Sequence, residues 1–395
     1  MSWIDDPAFA PDAPFGPQTL PYGVVSGAEG TAPAVRVGDH ALPLRSIAGS
    51  FPQRLRDVVV CESLDPLLAA GRPVWAQLRE RISELVTAAS APAGAELLPL
   101  PEVTVELPFT VGDYVDFYSS RHHAENVSAI LRPDAAGLAP NWTHLPVGYH
   151  GRAGTVRVSG TVVTRPCGQL AEGEFGPTAR LDVEAEVGFV CGGPVRSRVA
   201  ADEVADHVFG AVLLNDWSAR DIQAWEYRPL GPLLSKSFAT SVSGWVTPLD
   251  ALDAARITPP AAEQELVAYL RAEQPWGLQL DLELRCNGTL LSRPPFALMG
   301  WTPAQQLAHL TVNGATVRPG DLFASGTVSG PQRHHRGCFL ELTWGGGEPV
   351  TLDDGAQRTF CEDGDTVVIT ATAPGAGGSV VGLAEVAGTV GPAPC

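Results

Sequence analysis

The sequence predicts a mainly β fold of the α+β kind, and two observations carry that expectation. Forty-two glycines and 35 prolines cut the 395-residue chain into short segments, and both residue types interrupt helices and mark turns. Between the cuts lie many short apolar runs of strand length. A chain this long can bury a large core, and two domains are expected.

Residues 15–60 alternate short apolar runs with Gly and Pro (LPYGVV, AVRVGDHALPL, DVVVCESL), which suits a small β-barrel or meander. Val74–Ala89 has the apolar period of a helix and follows Pro73, a residue favoured in a first helical turn. The clearest linker is SAPAGAELLPLP (90–101), so the boundary falls between an N-terminal domain, 1–105, and a C-terminal domain, 106–395. Nothing before residue 100 concentrates chemistry, and the first domain reads as structural.

The second domain is different from its start. Asp116, Tyr118, His122 and His123 lie within eight residues, and Asn141–Arg152 is a turn-rich stretch holding Tyr149 and His150. Leu181–Phe189 alternates as a strand, with Asp182, Glu184 and Glu186 on one face. Same-face neighbours on a strand are about 7 Å apart, so the pattern fits either a solvated face or two carboxylates converging on a cation. Phe209–Leu214 reads as a short buried strand, followed by a helix from Asn215–Asp216 to Pro229. On such a helix Asp216, Arg220, Gln223 and Tyr227 share one stripe, with Trp225 opposite on the packing side. Lys236 follows among small residues and is the only lysine; every other basic residue is arginine.

Downstream, 262–273 looks like a surface helix. Leu278–Leu291 is a hairpin turning on Asn287–Gly288, and Thr302–Pro303 caps a helix running to His309. Residues 319–331 form a Gly/Ser/Thr loop suited to close approach to a ligand, without the pattern of a nucleotide loop. Cys338–Trp344 reads as a strand carrying Glu341, and 364–392 supplies two closing strands.

A net charge of −18 argues against a general basic surface for nucleic acid or anionic membrane. No apolar run reaches membrane-spanning length and the first residues lack signal-peptide character. The seven cysteines, scattered and without CxxC, read as reduced in a cytoplasmic protein. Asp116, Glu184, Glu186 and Asp216 could converge only around a cation. Their all-oxygen set points to Ca²⁺ or Mg²⁺, with Mn²⁺ as a third choice, rather than Zn²⁺.

At these residues the chain resembles the fumarylacetoacetase family. The blocks that carry the resemblance are DFYSSRHHAENV (116–127), NWTHLPVGYHGR (141–152), LDVEAE (181–186), Asn215–Phe238, ASGTVSGP (324–331) and ELTW (341–344), with LPYGV (20–24) near the start. The resemblance implies an SH3-like N-terminal barrel, a C-terminal mixed β-roll or sandwich, a homodimer, and hydrolysis of the carbon–carbon bond of 4-fumarylacetoacetate. It further implies that Asp116, Glu184, Glu186 and Asp216 hold the metal, with Lys236 and Thr240 beside a second cation. His123 would activate water with support from Glu341. Arg220, Gln223 and Lys236 would surround the oxyanion, while Tyr118, Arg132, Tyr149, Tyr227 and Thr327, again with Gln223, would contact substrate. His122 and the segment 332–336 depart from the family pattern, leaving His122 as a competing base. An acylpyruvate hydrolase, or an oxo-dienoate decarboxylase or isomerase of the same superfamily, would share the carboxylate site.

Overall fold

The structure, a computed structural model, describes residues 2–395. Its strands are β1 (Tyr22–Gly27), β2 (Gly30–Val37), β3 (His40–Pro43), β4 (Tyr114–Phe117), β5 (Ala185–Cys191), β6 (Val208–Asp216), β7 (Thr240–Val242), β8 (Trp245–Pro248), β9 (Asp281–Cys286), β10 (Thr289–Ser292), β11 (Leu322–Ala324), β12 (Thr366–Pro374) and β13 (Val380–Gly391), with shorter pieces between. The larger sheet runs β3-β2-β1-β8-β6-β5-β11-β4 along its main path. β1–β3 form the expected antiparallel meander, and β1 continues into the later sheet by pairing Tyr22 with Val246 of β8. A second sheet has the order β10-β9-β12-β13 and ends on 162–164.

Every residue of β6 is buried, because the strand is covered on both faces. Ala211 and Leu213 face a core shared with Leu284, Ile369 and Val386 of the second sheet. Val212 and Leu214 face Leu68, Trp75, Leu78 and Ile82 from α2 (Asp65–Ala70) and α3 (Arg72–Thr87). This two-sided cover explains why β6 reads as a continuous apolar run instead of an alternating one. The Asn287–Gly288 turn has positive φ at both residues, 49° and 83°, as a two-residue hairpin of that twist requires. Thr302 caps α6 (Pro303–Thr311) reciprocally with Gln305.

Four expectations need correction here. The run DVVVCESL is not a strand: α1 (Gln53–Val59) covers its start, since Leu55 and Val59, four apart, both bury. Residues 262–273 form no long helix, only a turn at Ala268–Leu270: the apolar contacts of Leu266, Tyr269 and Leu270 with Trp142 and Trp301 span about one turn, too little to offset the cost of nucleating a helix. Phe339–Leu342 is a short helix, α7, not a strand. The cysteines are not all reduced: Cys167 and Cys395 form a disulfide with Cα atoms 6.5 Å apart. β13 pairs in parallel with 162–164, Gly391 opposite Thr164, so the chain's last residues run beside Cys167. That pairing removes one of the grounds for expecting a cytoplasmic protein. No helix among the described residues is long and apolar enough to cross a membrane.

Candidate active site and metal centre

The site is built at one end of four neighbouring strands of the larger sheet, in the order β6-β5-β11-β4. Ala185 of β5 lies opposite Asn215 of β6, and β11 places Ala324 beside Asp116 of β4. Asp116 is the penultimate residue of β4, Glu184 precedes β5, Glu186 lies inside it, and Asp216 is the last residue of β6. The expected single strand from Leu181 to Phe189 is broken: Leu181–Asp182 pairs instead with Ser218–Ala219. The helical stripe is also corrected. Asp216 is strand, only Arg220 and Gln223 lie on α5 (Arg220–Glu226), and Tyr227 caps its end. Trp225, expected on the packing side, is exposed, while Trp217 and Ile222 are buried.

The four carboxylates each offer an oxygen, and these oxygens lie within 4.8 Å of one another. All four residues are buried. Glu184 is shared by two cations: Arg220 Nη2 donates to Oε1 at 2.8 Å, and Lys236 Nζ donates to Oε2. Burial alone would raise the Glu184 carboxyl, but Arg220, Lys236 and His123 outweigh it and hold it far below the usual range. The other three go the opposite way. Burial and the neighbouring carboxylates push Asp116 and Glu186 well up, and burial raises Asp216 against the pull of Lys236. Both Glu186 oxygens and Asp116 Oδ1 are buried without a hydrogen-bond donor. The protein's own cations therefore pair with two of the carboxylates, Glu184 and Asp216, and leave oxygens of the other two unpaired. That is a set able to hold a divalent metal ion, and its oxygen chemistry fits a hard one.

Asp216 also receives Tyr149 Oη at 2.8 Å, Lys236 Nζ at 2.9 Å and Thr240 Oγ1 at 3.1 Å. Lys236 and Thr240 thus lie together against Asp216, where the second cation was expected.

On the other side of Glu184, His123 lies in the first turn of α4 (Arg121–Leu131), where its amide donates to the capping Ser120 side chain. Its Nδ1 is 2.6 Å from Glu341 Oε2, and its Nε2 is 3.7 Å from Glu184 Oε1. Glu341 also accepts from Asn126 Nδ2 and Ser329 Oγ, both at 2.8 Å, and from the Cys338 thiol at 3.2 Å. Burial would raise Glu341, yet His123 and the Asn126 and Ser329 donors bring it down to about 2. An ionised Glu341 fixes the Nδ1–H tautomer and leaves the Nε2 lone pair open.

A cavity of about 460 Å³ to one side, lined by His122, Trp142 and Trp301, takes the neighbouring histidine away from the site. The site's own cavity, about 440 Å³, is lined by Asp116, Tyr118, His123, Arg132, Tyr149, Glu184, Glu186, Arg220, Gln223, Tyr227, Lys236 and Thr327. Asp216, Glu341 and Thr240 stand behind that wall. Gly326, at φ 78°, lets the loop pass the Phe117 carbonyl, where a Cβ would collide, and so seats Thr327 in the cavity. Arg336 Nη1 in turn ties the 332–336 segment to the Glu341 carbonyl at 2.7 Å. Sequence reading did not assign Asp182, Asn126, Ser329 or Cys338. Asp182 shared the alternating face of Glu184, and Asn126 lies one turn from His123; those spacings were the available signals.

Fold and site together define a protein with a buried carboxylate set able to hold a metal ion beside a histidine–carboxylate pair. The comparisons with known proteins name the family. Residues 114–390 match the family described as Fumarylacetoacetate (FAA) hydrolase C-terminal, and residues 18–108 match Fumarylacetoacetase N-terminal. Fumarylacetoacetases of Bos taurus and Homo sapiens are each 40% identical over 410 residues, covering 97% of this chain and 98% of theirs. Fumarylacetoacetase fahA of Aspergillus fumigatus is 41% identical over 429 residues, 99% of this chain and 98% of its own. Among solved structures, fumarylacetoacetate hydrolase from Exiguobacterium antarcticum aligns with TM-score 0.57 at 16% identity, covering 94% of this chain and 99% of that one. Maleylpyruvate hydrolase from Sphingobium aligns with TM-score 0.55 at 18% identity, covering 94% and 100%. The chain belongs to the fumarylacetoacetase family.

Proposed function

We propose that this enzyme hydrolyses the carbon–carbon bond of 4-fumarylacetoacetate to fumarate and acetoacetate, the last step of tyrosine and phenylalanine catabolism. One observation carries the reading: the free Nε2 of a Glu341-held His123 faces the carboxylate quartet across one cavity. Asp116, Glu184, Glu186 and Asp216 would hold Ca²⁺, Mg²⁺ or Mn²⁺. When bound, such a cation supplies the Lewis acidity that polarises a dicarbonyl.

The chain's own residues account for the rest. His123 Nε2 takes a proton from water as the hydroxyl adds to the fumaryl carbonyl, and Glu341 supports the imidazolium. Two hydrogens of Lys236 are used on Glu184 and Asp216, leaving a third for the oxyanion. Gln223 accepts from Arg220 Nη1 at 3.1 Å through its oxygen, so its amide hydrogens are free to donate. The proton on His123 then passes to the departing carbon, giving acetoacetate. Tyr118, Tyr149, Tyr227 and Thr327 line the substrate's path, and Arg132 offers a cation for a terminal carboxylate. The 1–105 segment supplies no residue to the cavity wall, in keeping with a structural N-terminal domain.

A homodimer is part of the proposal: Trp225, Leu230, Leu233 and Leu234 are exposed together in and just after α5, a surface a second copy would cover. Light scattering checks it, with a monomer at all concentrations as the opposing result. The function is tested by the decay of fumarylacetoacetate absorbance on adding protein, with and without chelator, beside an acylpyruvate and an oxo-dienoate. Preference for either of those would move the enzyme to another activity of the superfamily.

A further inference from the structure

Asp182 is fully buried and does not itself line the cavity, yet it contacts both halves of the site. Its Oδ2 accepts Arg220 Nε at 2.8 Å and the Leu340 amide at 3.0 Å. Its Oδ1 accepts the amides of Phe339 at 2.7 Å and Val183 at 2.8 Å. α7 has no side-chain cap from its own N-cap residue, Cys338. A carboxylate from 157 residues earlier does that work. The third residue of α7 is Glu341, which holds His123. Arg220, fixed at Nε, spends its remaining forks on Glu184 and Gln223.

We infer that Asp182 is a positioning residue that sets the placement of Glu341 relative to Arg220, and so couples the water-activating pair to the metal and oxyanion side. The inference rests on the hydrolysis proposed above. A carboxylate that only stabilised the fold would contribute the same whatever stood at position 341. One that works by aiming Glu341 loses its effect on turnover once Glu341 can no longer support His123.

The test uses the full chain with Mg²⁺ as the probe cation. Asp182→Asn keeps an acceptor for Phe339 and Val183 but turns an amide NH₂ toward Arg220 and Leu340. It should lower kcat by ~10²-fold or more, on the scale of a lost preorganising contact. KM and the Mg²⁺ dissociation constant should change by less than about threefold, as for an interaction realised in the transition state. In a Glu341→Gln background the same substitution should cost under about tenfold, the mark of non-additive residues acting as one unit. Additive losses, or a raised KM at unchanged kcat, overturn the inference. Asp182→Glu keeps the buried charge if Asp182→Asn fails to fold, and wild-type kcat in that variant is equally contrary.

A readout independent of the substrate is the downfield proton resonance of the His123–Glu341 hydrogen bond, assigned by its loss in Glu341→Gln. It should shift or broaden in Asp182→Asn and Asp182→Glu, and an unchanged resonance overturns the inference. Wild-type protein inert toward fumarylacetoacetate, with the resonance shifted as expected, would instead count against the function alone and leave the positioning role supported.

Discussion

His123 and Glu341 lie 218 residues apart in sequence, and their side chains meet at 2.6 Å in a buried hydrogen bond. Asn126 and Ser329 hold the same carboxylate, so its orientation survives loss of the imidazole. His123→Ala should therefore cost the ~10²–10⁴-fold in kcat of a missing general base, with KM little changed. Glu341→Gln should be similarly severe, because an amide NH₂ facing Nδ1 favours the wrong tautomer. His122→Ala, on a separate cavity, should stay close to wild type. Steady-state kinetics on the three variants decide it, and a severe His122→Ala with a mild His123→Ala would move the base by one residue.

The unpaired oxygens of Glu186 make a prediction about metal and stability together. Exhaustive chelation should abolish turnover, and Ca²⁺, Mg²⁺ or Mn²⁺ should restore it. Metal at a hundred times its dissociation constant should stabilise the fold by about 2.7 kcal/mol. Glu186→Gln removes a carboxyl whose ionised form burial and its acidic neighbours oppose, so the chelated variant should melt no lower than chelated wild type. Added metal should raise its melting temperature much less. Calorimetric titration and thermal melts check both halves; full activity in chelated protein would defeat the metal centre.

Glu226 ties the end of α5 to the turn that delivers Lys236. Its carboxylate accepts the amides of Leu233, Leu234 and Ser235 at 2.8–3.0 Å and the Ser235 hydroxyl at 2.6 Å. Burial opposes ionisation, but the hydroxyl and the three amides outweigh it and lower the pKa. A folded-state pKa below the unfolded one means stability that is complete above the unfolded value, near pH 4.5, and lost as pH falls through the folded value. Glu226→Gln should cost about 1–2 kcal/mol at pH 7. Urea unfolding from pH 7 downward should show that difference flat to about pH 5 and shrinking below the unfolded pKa of about 4.5. A pH-independent difference would count against the charge.

Much of the site was legible because its residues sit at chain features that sequence displays. The apolar run of β6 ends at Asp216, and the alternation through 181–189 put three acids on one side. What sequence could not show was where those elements stop. Asp216 belongs to a strand and Arg220 to a helix, so their +4 spacing does not put them on one helical face, and the two are linked only through Glu184 and Lys236. α7 is four residues long, too short to display a period, and its cap comes from Asp182. The Cys167–Cys395 disulfide spans 228 residues and follows only from the parallel pairing of β13 with 162–164. Local pattern reports faces; it does not report which remote partner a face will meet.

Lys236 gives the sharpest test of the site's chemistry. Every other basic residue in the chain is arginine, so Lys236→Arg conserves charge and matches the composition. The side chain is nevertheless buried, with Nζ bound to Glu184 and, at 2.9 Å, to Asp216. Opposed by burial but favoured by Asp216 and Glu184, its ammonium is held above the ordinary lysine range and stays charged. An ammonium can aim three hydrogens from one nitrogen, two at the carboxylates and one into the cavity; a planar guanidinium is bulkier and cannot. Lys236→Arg should then lose ~10²–10³-fold in kcat, the scale of one oxyanion donor, with a smaller change in KM. Lys236→Met should lose as much turnover and also melt lower, because it strips a buried cation from two carboxylates at a cost of about 3–5 kcal/mol. Metal should recover part of that stability in the Met variant by taking over the unpaired charge. Wild-type kcat in Lys236→Arg would mean that the third hydrogen does nothing in the reaction, and the ammonium would remain only as the counter-ion of Glu184 and Asp216.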